Sequence, residues 1–136
     1  MTKNKKRSVR IRWAKGELIA DLEDTPTVRK LLEALPCRSR ANTWGEEVYF
    51  EVPIQADLER DADQVVNPGA VCFWVQGRSL AIPFGATPIS EDGECRMVTR
   101  VNLLGKVRGD PRILRSVRDG DSIWMEPMDK SAPGAT

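Results

Sequence analysis

The strongest constraint on the fold of this chain is a period of two. Val9, Ile11 and Trp13 alternate with Arg10 and Arg12. Successive side chains of a strand point to opposite faces, so this run has one apolar and one charged face. Lys15-Gly16 supplies a tight turn, and Leu18, Ala20 and Leu22 return with the same period, which predicts a hairpin. The alternation recurs where Val48, Phe50 and Val52 interleave with Glu47, Tyr49 and Glu51. Two runs, Val71 to Val75 and Leu80 to Phe84, are almost continuously apolar and are joined by Gln76-Gly77-Arg78. Such runs belong to strands covered on both faces. Cys37 to Val52 reads as two strands about a turn at Trp44-Gly45. Met97 to Val107 reads as one long strand with a bend or bulge at Gly105, and Ser122 to Glu126 as the last strand. The stretch from Asp57 to Asp63 is acidic and unpatterned, a surface loop, and Asn67-Pro68-Gly69 is a turn.

Helical spacing appears twice. Thr25-Pro26 offers an N-cap followed by a proline at the first helical position, and Val28, Leu31, Leu32 and Leu35 form a stripe at i, i+3, i+4 and i+7. A helix from Pro26 to Leu35 follows, stopped by Pro36. Asp110-Pro111 repeats the signal and predicts a short helix to Val117, with Ile113, Leu114 and Val117 turned inward. Short strands, Gly/Pro turns and two amphipathic helices predict a mainly β fold, a small barrel whose ends the helices cover. One domain is expected from residue 9 to residue 128. It is preceded by a disordered basic arm (residues 1–8) and followed by a flexible small-residue tail (129–136).

Composition excludes several functions. None of the 136 residues is a histidine, which removes Ser-His-Asp and Cys-His catalysis and His-ligated metals. Cys37, Cys72 and Cys95 are widely spaced, without a C-x-x-C pair. Free thiols in a cytoplasmic protein are expected, and no metal site. No carboxylate run has calcium-loop spacing, and no glycine-rich phosphate loop is present, so no cofactor is expected. With 21 Lys+Arg against 20 Asp+Glu the net charge is +1, which argues against a nucleic-acid partner. The basic start, Lys3 to Arg7, is not followed by an apolar run, so neither a secretory signal nor a membrane anchor is expected.

A more specific signal begins at Asn42-Thr43-Trp44-Gly45-Glu46-Glu47 and continues as Val48-Tyr49-Phe50. Three more stretches follow in order: Gly69…Trp74…Gly77, Phe84-Gly85-Ala86-Thr87-Pro88-Ile89-Ser90, and Val101-Asn102-Leu103-Leu104-Gly105-Lys106-Val107. Together they resemble the small bacterial and archaeal cyclophilin-like domains, from about Val9 to Met125. Leu104-Gly105-Lys106-Val107 and the helix after it are also similar to a late segment of the true cyclophilins. The resemblance implies a closed eight-stranded barrel with a helix at each end. True cyclophilins isomerise the bond before proline, lowering a barrier of about 18–20 kcal/mol set by amide resonance. An arginine serves them as hydrogen-bond donor, beside aromatic residues, a glutamine and a histidine. This chain has no histidine and lacks the F-H-R segment that carries that arginine.

The residues therefore point first to a binding module without efficient isomerase activity. It would hold a small apolar molecule or an extended peptide in a cleft rimmed by Trp44, Glu46, Arg78, Phe84 and Thr87, with Ile82 on the apolar floor. The alternative is a divergent peptidyl-prolyl isomerase using Arg40 or Arg78 as the amide donor, and a second alternative is an enzyme acting on a small metabolite. Glu47, Tyr49 and Glu51 share one strand face, read as solvated sheet surface. Asn102 is a polar residue inside an apolar strand and must be hydrogen-bonded if buried; the turn at Asn42 is its expected partner.

Overall fold

A computed structural model describes residues 7–128. The elements in chain order are β1 (Arg7–Trp13), β2 (Gly16–Leu22), α1 (Pro26–Glu33), β3 (Cys37–Arg40), β4 (Asn42–Thr43), β5 (Glu47–Glu51), β6 (Asp63–Val66), β7 (Ala70–Trp74), β8 (Ser79–Pro83) and β9 (Cys95–Val107). A 3-10 helix, Pro111–Ser116, and β10 (Ser122–Met128) complete the chain. The first strand starts at Arg7, so the last two residues of the expected basic arm belong to the sheet. The rest of the arm and the expected tail lie outside the described residues.

Nine strands follow one another in the order β3-β10-β1-β2-β9-β7-β8-β5-β4, and β6 pairs with β9 off this path. The pairing is antiparallel throughout. The two ends of the path, β3 and β4, are consecutive in the chain and separated by Ala41 alone. The Ala41 N–H donates to the Asp121 carbonyl at 2.9 Å, and the Gly120 N–H donates to the Ala41 carbonyl at 2.8 Å. The chain thus steps from pairing with β10 to pairing with β5, which nearly closes the ring. The expected closed eight-stranded barrel is corrected to a nearly closed one of nine strands. What reads as one strand, Cys37 to Thr43, is split where it changes partner at Ala41.

The inward faces carry the main core. Val9, Ile11, Leu18, Ala20, Val48, Phe50, Val71, Phe73, Leu80, Ile82, Leu104, Ile123 and Met125 are all buried there. The Thr25 hydroxyl caps α1 by accepting from the Val28 N–H at 3.1 Å, and Val28 and Leu31 enter the same core. The second helix differs from expectation. It is a 3-10 helix, with three residues per turn, so residues three apart share a side. Leu114 and Val117 are buried together while Ile113 is 46% exposed. The Trp13 indole N–H donates to Ser116 Oγ at 2.8 Å and ties this helix to β1. At Gly105 the expected bulge is present. Val71 pairs with Gly105 but Cys72 pairs with Leu103, so Leu104 is the extra residue.

Asn102 is fully buried and fully partnered. Its Nδ2 donates to Thr27 Oγ1 at 3.0 Å and to the Asp57 carbonyl at 2.9 Å, and its Oδ1 accepts from the Glu59 N–H at 2.6 Å. Thr27 Oγ1 in turn donates to Glu59 Oε2 at 2.5 Å. The partner is therefore the acidic loop around Asp57 and the start of α1, whereas Asn42 is exposed in β4.

Candidate functional site

A second apolar cluster lies on the opposite side of the same strands. Cys72, Ala81, Met97 and Val101 are buried there, with Tyr49, Trp74 and Leu103 packed against them. Their neighbours Val71, Phe73, Leu80 and Ile82 belong to the inner core, so strand alternation places this cluster on the outer face. Register aligns it in a row, since Tyr49 pairs with Ala81, Ala81 with Cys72 and Cys72 with Leu103.

What covers this face is a ribbon made of β6 and the first half of β9. Asp63 pairs with Val101 and Val65 with Arg96. β6 advances two residues while β9 advances five, so residues 97–100 are thrown out of the ladder. Met97 is thereby buried against the outer face and Val98 stands 50% exposed at its edge. The Gln64 side-chain amide donates to the Met97 carbonyl at 3.0 Å and holds the bulged segment.

Between ribbon and barrel remains a pocket of about 150 Å³, lined by Trp44, Glu47, Tyr49, Trp74, Ala81, Met97, Val98 and Val101. Tyr49 and Trp74 meet edge to face, with ring centres 5.9 Å apart and planes at 85°, and form a right-angled corner. The Trp74 ring rests on Gly77, where a Cβ would come within 2.3 Å of ring atom Cε3. Trp44 reaches the pocket from the turn between β4 and β5. That turn needs Gly45, whose φ of +63° favours glycine and whose position leaves no room for a Cβ beside Pro88 and the Ala86 carbonyl. Thr43 anchors the other side of the turn, donating from its N–H and its hydroxyl to Asp119 Oδ1 at 2.7 and 2.9 Å.

Glu47 stands apart from this apolar lining. It is only 5% exposed, and its Oε1 is buried with no hydrogen-bond partner. Burial raises its carboxyl to about 7, because a low-dielectric site disfavours the charged form. The titratable groups nearest to it offer no compensation. Cys72 on β7 is itself pushed up, first by burial and then by the Glu47 charge, and Cys95 on β9 is raised by burial and by Glu46 and Glu47. Both thiols are held in the protonated, weakly nucleophilic form. Among the described residues no three His, Cys, Asp or Glu side chains are grouped to hold a metal, and no helix is long and apolar enough to cross a membrane.

Of the residues expected to rim or floor a cleft or to donate to an amide, Trp44 alone lines the pocket. Glu46, immediately before β5, is not among the lining residues and lies 3.8 Å from the Arg115 guanidinium. Ile82 is inside the barrel core, not on a cleft floor, and Phe84 packs against that same core. Thr87 is buried and ties its loop, its hydroxyl donating to the Arg96 carbonyl and its N–H to Ser90 Oγ. Arg78 occupies a left-handed turn position at φ 48°, 3.8 Å from Glu51, beside a separate shallow hollow with Lys30 and Asp57. Arg40, at the end of β3, donates to the Gly120 carbonyl at 3.1 Å and is not among the lining residues. Glu47 and Tyr49, read as solvated surface, are the residues that sequence reasoning missed. A signal for them existed in the two apolar runs flanking this face, whose coverage extends to the neighbouring strand.

The family model for cyclophilin-like domains matches residues 7–126. The chain belongs to the cyclophilin-like family. This cyclophilin-like domain superposes on the solution structure of the hypothetical protein AF2241 from Archaeoglobus fulgidus with a TM-score of 0.79. The two share 34% identity, over 93% of this chain and 98% of the archaeal one. No curated protein matches this cyclophilin-like chain.

Proposed function

We propose that this domain is a binding module. It takes a small apolar group, from a free molecule or from a side chain of an extended peptide, into the pocket between the β6–β9 ribbon and the outer face of the barrel. The observation that carries this reading is the pocket itself, formed in the fold and walled by Trp44, Tyr49, Trp74, Met97 and Val101. Ligand sites are concave, mostly apolar and marked by a few polar groups, and about 150 Å³ is the size of an apolar cavity that admits a benzene ring. No Lys or Arg is among the lining residues, so the donor that weakens the amide in prolyl isomerisation has no counterpart here. Efficient isomerase activity is not part of the reading.

Titration with toluene, followed by NMR of the ¹⁵N-labelled protein, tests it. The indole N–H signals of Trp44 and Trp74 are expected to shift with saturation, while those of Trp13 and Trp124, which lie elsewhere, stay in place. Shifts spread evenly over all four tryptophans, or none at all, would overturn the proposal.

A further inference from the structure

Glu47 Oε1 is a need that an apolar ligand does not meet. A carboxylate held out of water without a partner is costly, and a side chain in this position on a solvated strand would escape to the surface. Here β9 covers it. The basic groups near this end of the barrel are engaged elsewhere, Arg115 beside Glu46 at 3.8 Å and Arg96 on Glu94 at 2.7 Å.

We propose that the pocket receives a small organic ammonium, a group of about one ring in size whose protonated amine hydrogen-bonds to the Glu47 carboxylate. The inference rests on the binding reading above and adds the charge of the ligand to it. Three observations converge on it. The one carboxyl in the pocket lining, Glu47, is buried and unpartnered on one oxygen. Three of the eight lining residues are aromatic, Trp44, Tyr49 and Trp74, and the ring quadrupoles attract cations, most strongly when the site is desolvated. No resident cation competes, because neither Lys nor Arg lines the site. A neutral N–H or O–H would hydrogen-bond the Glu47 carboxylate but leave its charge uncompensated, whereas an ammonium answers both.

A pH dependence follows. The groups facing Glu47 are Tyr49 on its own strand, and Cys72 on β7 and Cys95 on β9, whose thiols burial pushes up, with Glu46 adjacent in the chain. The ammonium binds the ionised carboxylate, so it displaces the proton from Glu47. With the free carboxyl titrating at about 7, affinity should tighten roughly a hundredfold from pH 5 to pH 8, by linkage of binding to ionisation.

The experiment compares benzylammonium, benzyl alcohol and toluene as probes of the same size, read by the Trp44 and Trp74 indole signals at pH 5 and pH 8. Glu47→Gln keeps the shape of the side chain and removes its charge; its fold is checked by its NMR spectrum. Benzylammonium is expected to bind the wild type at pH 8 at least tenfold tighter than either neutral probe. That preference should vanish at pH 5 and in Glu47→Gln. If toluene or benzyl alcohol binds as tightly as benzylammonium, or the wild-type affinity for benzylammonium is flat with pH, the ammonium assignment is overturned and the apolar pocket still stands. If no probe moves the two indoles, the pocket reading itself fails and this inference with it. The wild-type pH series decides the matter even if Glu47→Gln does not fold.

Discussion

At Asn102 both polar atoms of the amide have partners, and at Glu47 one carboxylate oxygen has none. The two residues sit in one small barrel and act on its stability in opposite ways. Asn102→Leu strands the Asp57 carbonyl and the Glu59 N–H, and a stranded buried group costs about 1–3 kcal/mol. The midpoint of urea unfolding should fall accordingly, with the slope unchanged. Glu47 works through pH. Its carboxyl titrates near 4.3 in an unfolded chain and at about 7 in the fold, so between these values the folded protein holds a proton that the unfolded chain has lost. Its contribution to stability is full below pH 4 and declines as pH rises to 7 and beyond. The loss is on the order of 3 kcal/mol. Unfolding curves at pH 5 and pH 8 should show this decline in the wild type and not in Glu47→Gln. Asn102 was legible in the sequence because an amide between Val101 and Leu103 has few alternatives to burial with partners. Glu47 was not, because alternation assigns a residue to a face and says nothing about what lies over that face.

The element that decides the site is the least patterned one. β6 is four residues long, Asp63–Val66, and its two apolar residues, Val65 and Val66, are adjacent, so its sequence shows no alternation. The first half of β9 was likewise readable as extended but not as bulged, since the departure at residues 97–100 follows from pairing with β6 and not from any local residue preference. By contrast β1, β2, β5, β7, β8 and α1 stand where period and capping placed them, because each buries a continuous apolar face or stripe in the inner core. Trp74 belongs to both accounts. Its strand was legible, but the seat of its ring on Gly77 comes from the tight β7–β8 turn. Gly77→Ala puts a methyl group where the ring now lies, an overpacking that costs about 1–3 kcal/mol. The ring must swing away, and the variant is expected to lose the toluene response at the Trp74 indole while that of Trp124 is unaffected.

At the scale of the whole molecule the chain is a cyclophilin-like, nearly closed barrel, and the reading proposed above gives it no isomerase chemistry. A guanidinium within about 2.7–3.2 Å of its acceptor, over an apolar pocket, is the arrangement isomerisation needs; here the apolar pocket faces a carboxylic acid. Exchange of a short X–Pro peptide, tens to hundreds of seconds without catalyst, is expected to keep its uncatalysed rate at micromolar protein when followed by NMR. A rate enhancement that disappears in Arg40→Ala or Arg78→Ala would reverse that conclusion. The ring has a further property, set by the pairing of its first and last strands, in which Ser8 lies opposite Met128. Strand neighbours of this kind are about 5 Å apart, so Arg7 and Met128 can be joined by a few glycines without disturbing either strand. The exposed turn at Asp92-Gly93, where nothing lies within 4 Å of a Cβ on the glycine, is then a suitable place to cut. The order in which the strands are read along the polypeptide is a convention of this barrel, and a chain started at Gly93 and ended at Asp92 encodes the same circle.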